Sequence, residues 1–99
     1  MTDKQYVAGI MTALRQNSHA RELYFSADKA RRREGCLRLG REVGYGLDGE
    51  EVISSLYSQL VVQFCMDNTG IVIDNADFVA AVREGRQKHA DYVKTKEEV

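Results

Sequence analysis

The segment between Val52 and Phe64 constrains the fold of this chain more than any other. Its apolar residues recur every three or four positions, which is the repeat of an α-helix with one buried face. They are Val52, Ile53, Leu56, Tyr57, Leu60, Val61 and Phe64. Asp48 precedes the run as a predicted N-cap, with Glu51 three residues later, and this pairing favours the start of a helix. The sequence therefore predicts a central core helix here.

The distribution of proline and glycine extends the helical prediction to the whole chain. Proline, which breaks helices, is absent, and four of the eight glycines lie between positions 40 and 49. Gly44 is predicted to end a helix in the left-handed conformation. We expect long helices that turn near these glycines, and no strand-rich fold.

Two further helices are predicted before the glycines. Tyr6, Val7, Ile10, Met11 and Leu14 follow the helical repeat after a start at Thr2 or Asp3. The apolar stripe is then interrupted at Asn17 and Ser18. A second helix could begin with Ser18 as its cap and run through Leu37, or the first helix could continue; a break near residues 16–18 is the preferred interpretation.

Capping residues also mark the last helix. The segment 67–70 is predicted to end the central helix at Gly70, and residues 71–73 to be extended, forming a short strand if another edge is available. Asp74 is predicted to cap the last helix with Asp77 at its third position, and Ile73 to close over Phe78 as a hydrophobic staple.

Together these patterns predict an all-α fold, a small bundle of about four helices in one domain, 1–99, with a frayed tail at 94–99. Gly85 lies inside the last helix, where glycine costs about 0.5–1 kcal/mol relative to alanine unless a neighbouring helix needs the space. The predicted core consists of Val52, Ile53, Leu56, Leu60, Phe64, Phe78 and Val82.

The composition, 43% hydrophobic and 29% charged, is that of an ordinary globular protein. Two cysteines are too few for a disulfide scaffold, and no signal segment is evident at the start, so we expect a reducing cytoplasmic location. Every unbroken apolar run, 60–62 among them, is far below the ~20 residues that cross a bilayer.

Charge divides along the chain. Residues 15–41 carry eight bases and three acids, whereas the chain from Glu42 onward carries eleven acids and five bases. The predicted binding residues in the basic block are Arg31, Arg32, Arg33, Arg38 and Arg41, whose planar guanidinium groups bind phosphates or carboxylates. Since no aromatic residue for base stacking lies between these arginines, we predict a protein partner with an acidic surface, with nucleic acid as the alternative. The apolar width of the central helix and the bipolar charge predict a homodimer.

No catalytic or metal-binding motif is visible. Cys36 and Cys65 are interpreted as small core or boundary residues, and His19 and His89 lie in no motif with either. We therefore expect a protein that is not an enzyme and has no metal or other cofactor.

The arginine-rich segment, the turn from Gly46 to Glu51 and the leucine-rich helix after it together resemble small accessory proteins of temperate tailed phages and prophages. The resemblance covers roughly residues 21–60. It implies a regulator or inhibitor that binds a host or phage component, and it carries over no site residue.

Overall fold

The structure is a computed structural model that describes residues 2–97. These residues form five helices and one two-stranded antiparallel hairpin. The helices are α1 (Asp3–Gln16), α2 (Ser18–Tyr24), α3 (Lys29–Val43), α4 (Glu50–Gln63) and α5 (Asn75–Glu97), and the strands are β1 (Met66–Asp67) and β2 (Gly70–Ile71). The all-α prediction is thus confirmed in class, with one helix more than expected.

The additional helix arises because the chain before the glycines breaks twice. The break near residues 16–18 is confirmed, but the cap of α2 is Asn17, whose side chain accepts a hydrogen bond from the Ala20 amide at 3.2 Å. The second break, at residues 25–28, was not predicted. There Asp28 caps α3 by accepting from the Arg31 amide at 2.9 Å.

The start of α4 corrects one capping prediction. Gly49, and not Asp48, is the N-cap, and no side chain caps this helix. The Gly49 amide instead donates to the Asp3 carboxylate at 2.6 Å, which ties the glycine loop to the start of α1. A contact distant in sequence has therefore replaced the local cap.

The two predicted glycine helix ends are also wrong in detail. Gly44 ends α3 in the right-handed conformation, with φ −59°. The central helix stops at Gln63, so Gly70 does not end it. Gly70 has a positive φ of 118° because it closes the turn of the β1–β2 hairpin, in which Asp67 pairs with Gly70 and Met66 with Ile71. Of the predicted extended residues 71–73, only Ile71 belongs to a strand, and Val72 and Ile73 form bends that lead to α5.

The start of α5 is as predicted, since Asp74 accepts from the Asp77 amide at 2.8 Å. The helix then continues to Glu97, which includes the first four residues of the predicted frayed tail; residues 98 and 99 lie outside the described residues. Phe78 and Val82 are buried, whereas His89 and all later described side chains are exposed.

The core lies where α1, α3, α4 and α5 meet. Of the predicted core residues, Ile53, Leu56, Leu60, Phe78 and Val82 are buried, while Val52 and Phe64 are only half-buried. Met11, Val43 and Leu47 are among the further residues buried in the interior. Leu47 is buried in the apolar core although it lies in the glycine loop, and Arg86 of α5 donates to its carbonyl at 2.8 Å.

The most extensive helix contact joins α3 and α5, and small residues make it possible. A Cβ atom on Gly85 would overlap the Arg41 carbonyl oxygen, and one on Gly44 would overlap the Val82 carbonyl oxygen. Beside them, a Cβ on Gly40 would lie 2.9 Å from the Cβ of Ala81. The two backbones therefore touch directly, which explains why glycine is present inside α5.

Across residues 2–97, no helix combines the length and apolar character that a bilayer crossing requires.

The α3–α5 contact predicts opposite effects for two glycine-to-alanine substitutions. Gly85→Ala should lower the free energy of unfolding by about 1–3 kcal/mol, because the new methyl group forces the helices apart. Gly9→Ala is the matched control: a Cβ on Gly9 meets no atom within 4 Å, so the better helix propensity of alanine should raise stability by about 0.5–1 kcal/mol. Urea denaturation measures both values. A Gly85→Ala protein as stable as the wild type would contradict the close helix contact.

Candidate binding surface on α3

Helix α3 carries all five predicted binding arginines, but it separates them into two groups. Arg31, Arg38 and Arg41 fall on one side of the helix, where they line a cleft against α2. Arg32 and Arg33 point elsewhere, toward the hairpin and the start of α5. The basic block of the sequence is therefore not one surface.

The cleft between α2 and α3 has a volume of about 540 Å³. Its lining is Glu22, Leu23, Ser26, Ala30, Arg31, Glu34, Gly35, Arg38 and Arg41. Three bases and two acids thus face one space together with apolar atoms. Leu23 is 46% exposed, which makes it the large apolar side chain of the cleft that a ligand could cover.

The α2 wall of the cleft is held in place by several contacts. The backbone of Tyr24 lies directly against Gly35, where a Cβ atom would overlap the Tyr24 carbonyl oxygen. The Tyr24 hydroxyl donates to the Glu42 carboxylate, and burial together with this hydrogen bond raises the pKa of Tyr24 to about 12. Arg21, in the same last turn of α2, donates to the Leu14 carbonyl at 2.9 Å and so ties α2 to α1. Because these contacts hold α2 against α1 and α3, the cleft is a feature of the folded core.

The three cleft arginines differ in what they already bind. Arg38 donates to Glu42 at 3.3 Å, in a half-exposed ion pair one helical turn apart. Among residues 2–97, the Arg31 and Arg41 guanidinium groups have no carboxylate within ion-pair distance. Arg31 and Arg41 are therefore the cleft cations with capacity for a new partner.

The second arginine group stabilises the chain itself. Arg32 forms an ion pair with Asp67 of the hairpin at 3.2 Å, with its side chain only 12% exposed. Arg33 pairs with Asp77 of α5 at 3.1 Å, and Lys29 donates to the Thr69 hydroxyl at 2.6 Å. These contacts dock the hairpin and the start of α5 on the basic helix, an intramolecular use that sequence analysis did not identify.

The structure also shows where the two cysteines and His89 lie. Cys36 and Cys65 are both buried, as predicted, but their mutual contact was not foreseen: their Sγ atoms are 3.0 Å apart. The His89 ring lies beside that of Tyr45, at a centroid distance of 5.4 Å. The described part of the chain contains no cluster of three or more His, Cys, Asp or Glu side chains able to hold a metal ion.

The apolar face of α4, on which the homodimer prediction rests, is largely covered within the monomer. Ile53, Leu56 and Leu60 are buried, and α4 contacts both α1 and α5. Val62 is the large apolar side chain of α4 that stays open, at 76% exposure. The homodimer stays a prediction, and its interface has to be sought on other surfaces.

No family model matches the chain, and comparison with curated proteins and with solved structures gave no match either.

The docking of the hairpin predicts a pH-dependent contribution to stability. The pKa of Asp67 lies below its ordinary value of 3.8, chiefly because the Thr69 hydroxyl and amide donate to its carboxylate, with Lys29 and Arg32 adding positive charge. A carboxyl group whose pKa is lowered by folding stabilises the native state above its unfolded pKa, and this contribution is lost as the pH falls through the folded pKa. Asp67→Asn should therefore lower the free energy of unfolding at neutral pH.

The difference from the wild type should shrink once the pH falls below about 3.8. Urea denaturation at a series of pH values measures it, and Asp48→Asn, at an exposed position, is the control. A difference that stays constant through the acid range would contradict the role of the ionised Asp67 carboxylate.

Proposed function

We propose that this protein is a small non-enzymatic regulator or inhibitor that binds an acidic segment of a protein partner in the α2–α3 cleft. The observation that carries the proposal is the grouping of Arg31, Arg38 and Arg41 around one cleft that also exposes Leu23. This grouping distinguishes the cleft arginines from Arg32 and Arg33, which bind acids of the same chain.

The mixed chemistry of the cleft favours a protein segment as the ligand. A peptide can present carboxylates to Arg31 and Arg41 and an apolar side chain to Leu23 at the same time. Guanidinium groups suit such carboxylates because they bind them in a planar, two-pronged geometry. Burial of Leu23 would add hydrophobic stabilisation that a purely ionic ligand lacks.

The alternative function is nucleic-acid binding through the arginine-rich helix. The structure reduces the positive charge available for it, because Arg32 and Arg33 are engaged within the chain. The cleft arginines would neutralise about three phosphates, which corresponds to a shallow dependence of affinity on salt. Glu22 and Glu34 in the same lining would also repel a polyanion. These contacts make an acidic protein segment the preferred ligand.

The proposal retains the role that the sequence resemblance implies. A phage or prophage accessory protein of this size would act in the cytoplasm by occupying a surface of a host or phage protein, and it would need neither a cofactor nor a catalytic residue. Such a mechanism requires only that the bound segment be withheld from its usual partner.

Peptide binding by a matched pair of variants tests the proposal. The probe is a fluorescein-labelled peptide of glutamate and leucine residues, and its anisotropy reports binding. The cleft variant Arg31→Ala/Arg38→Ala/Arg41→Ala should weaken binding at least tenfold, which corresponds to about 1.4 kcal/mol. The control Arg83→Ala/Lys88→Ala/Lys94→Ala removes the same charge from α5 and should leave the affinity nearly unchanged.

Two outcomes would contradict the cleft as a site for an acidic peptide. One is an equal loss of affinity in both variants, which would indicate a nonspecific effect of net charge. The other is an absence of peptide binding by the wild type together with binding of duplex DNA that survives physiological salt and is lost in the cleft variant. That second result would establish the nucleic-acid alternative.

A further inference from the structure

Two cysteines distant in sequence meet in the core. Cys36 and Cys65 are 29 residues apart in the chain, and their Sγ atoms lie 3.0 Å from each other. Each residue is 1% exposed. A disulfide bond has a length of about 2.05 Å, so a movement of roughly 1 Å would join the two sulfur atoms.

The surrounding structure holds both sulfur atoms at this distance. Cys36 lies in α3, on the buried side of the helix. Cys65 lies two residues after the end of α4: its amide donates to the Leu60 carbonyl and its own carbonyl accepts from the Val72 amide, both at 3.0 Å. The first contact fixes Cys65 to the last turn of α4, and the second fixes it to the residue that follows β2.

We propose that Cys36 and Cys65 form a redox-active dithiol site, which hydrogen peroxide or a similarly small hydroperoxide converts reversibly into an intramolecular disulfide. The site is separate from the α2–α3 cleft and does not depend on the function proposed for it. Cysteine pairs that oxidise in reducing compartments are usually transient and redox-sensing, in contrast to structural disulfides of secreted proteins.

The environment makes the two thiols chemically unequal. The hydrogen bond from Cys65 and the positive charge of Arg32 lower the pKa of Cys36. The same hydrogen bond and burial raise the pKa of Cys65. Arg32 precedes Cys36 by one helical turn, and its buried Nε atom has no hydrogen-bond partner among the described residues. Arg32 thus lies one turn from Cys36 on the same helix, whereas Cys65 lies outside any helix, and on this placement we assign Cys36 as the attacking thiol and Cys65 as the resolving one.

The reaction proceeds in two balanced steps. First, the Cys36 thiol ionises and its sulfur attacks one oxygen of hydrogen peroxide; the O–O bond breaks, and the departing hydroxide takes the thiol proton to form water. Cys36 is then a sulfenic acid. Second, the Cys65 sulfur attacks the Cys36 sulfur as it loses its proton; the S–O bond breaks, and hydroxide leaves with that proton as a second water. The two thiols lose two electrons, and the peroxide is reduced to water.

Disulfide formation would fix the hairpin to the basic helix. Cys65 immediately precedes β1, and the hairpin already contacts α3 through the Arg32–Asp67 ion pair and the Lys29–Thr69 hydrogen bond. A covalent link next to these polar contacts would hold Asp67 and Thr69 on α3 for as long as the disulfide stays oxidised. Oxidation therefore closes a loop that in the reduced protein is held by noncovalent contacts alone.

The first test uses the full wild-type chain, treated with hydrogen peroxide and then alkylated under denaturing conditions. We expect a monomer lighter by two hydrogen atoms with no alkylated cysteine, and recovery of both thiols after dithiothreitol. The oxidised protein should melt at least ~8 °C higher, since the disulfide closes a loop of about 30 residues. Two alkylated thiols, disulfide-linked dimers, sulfinic acids or a lowered melting temperature would each overturn the proposal.

The second test determines the order of attack with single variants. In Cys65→Ala, peroxide should give a Cys36 sulfenic acid that dimedone traps, because the resolving thiol is missing. In Cys36→Ala, the buried Cys65 should give no dimedone adduct under the same conditions. Reaction of Cys65 alone would overturn the assigned roles. The wild-type mass measurement tests the proposal even if either variant fails to fold.

Discussion

Direct backbone contact between α3 and α5 is the constraint on which the rest of the structure depends. These helices can touch because Gly44 and Gly85 have no side chain at the point of contact. The cost of a glycine inside α5, about 0.5–1 kcal/mol, is offset by the contacts that this approach permits. Because α3 is fixed against α5, its remaining sides have set neighbours: α2 on one, and the hairpin with the start of α5 on another. These neighbours decide which arginines of α3 face the cleft and which bind acids of the same chain.

A run of charged residues on a helix is often interpreted as a solvated surface or a binding surface, and α3 shows a third arrangement. One side of the helix is buried through Cys36, Leu39 and Val43, a second binds acids of the same chain, and a third lines the cleft. The partition is possible because the helical repeat sends adjacent residues in different directions. Arg31 and Arg32 are neighbours in sequence, yet one lines an open cleft and the other is almost buried in an ion pair.

The features that could be predicted are those that local signals determine. The Asp74 cap and the buried positions of α4 follow from residue types a few positions apart, and both were identified. Asp48 offered the same capping signal as Asp74, but the contact of Asp3 with Gly49 decided that helix start. The ion pairs of Arg32 and Arg33 and the cysteine contact likewise depend on residues 29 to 44 positions apart. Such pairings are set by packing, which the sequence pattern does not encode locally.

The length of α5 gives the molecule its elongated outline of 49 × 26 × 25 Å. From Gln87 to Glu97 every side chain is exposed, so this segment is supported mainly by contacts along the helix itself, such as Gln87 with Asp91 at 2.9 Å. Short helices without a packed face are marginal in water. On heating we therefore expect the end of α5 to unfold before the packed core, so that the long axis of the molecule is its least stable dimension.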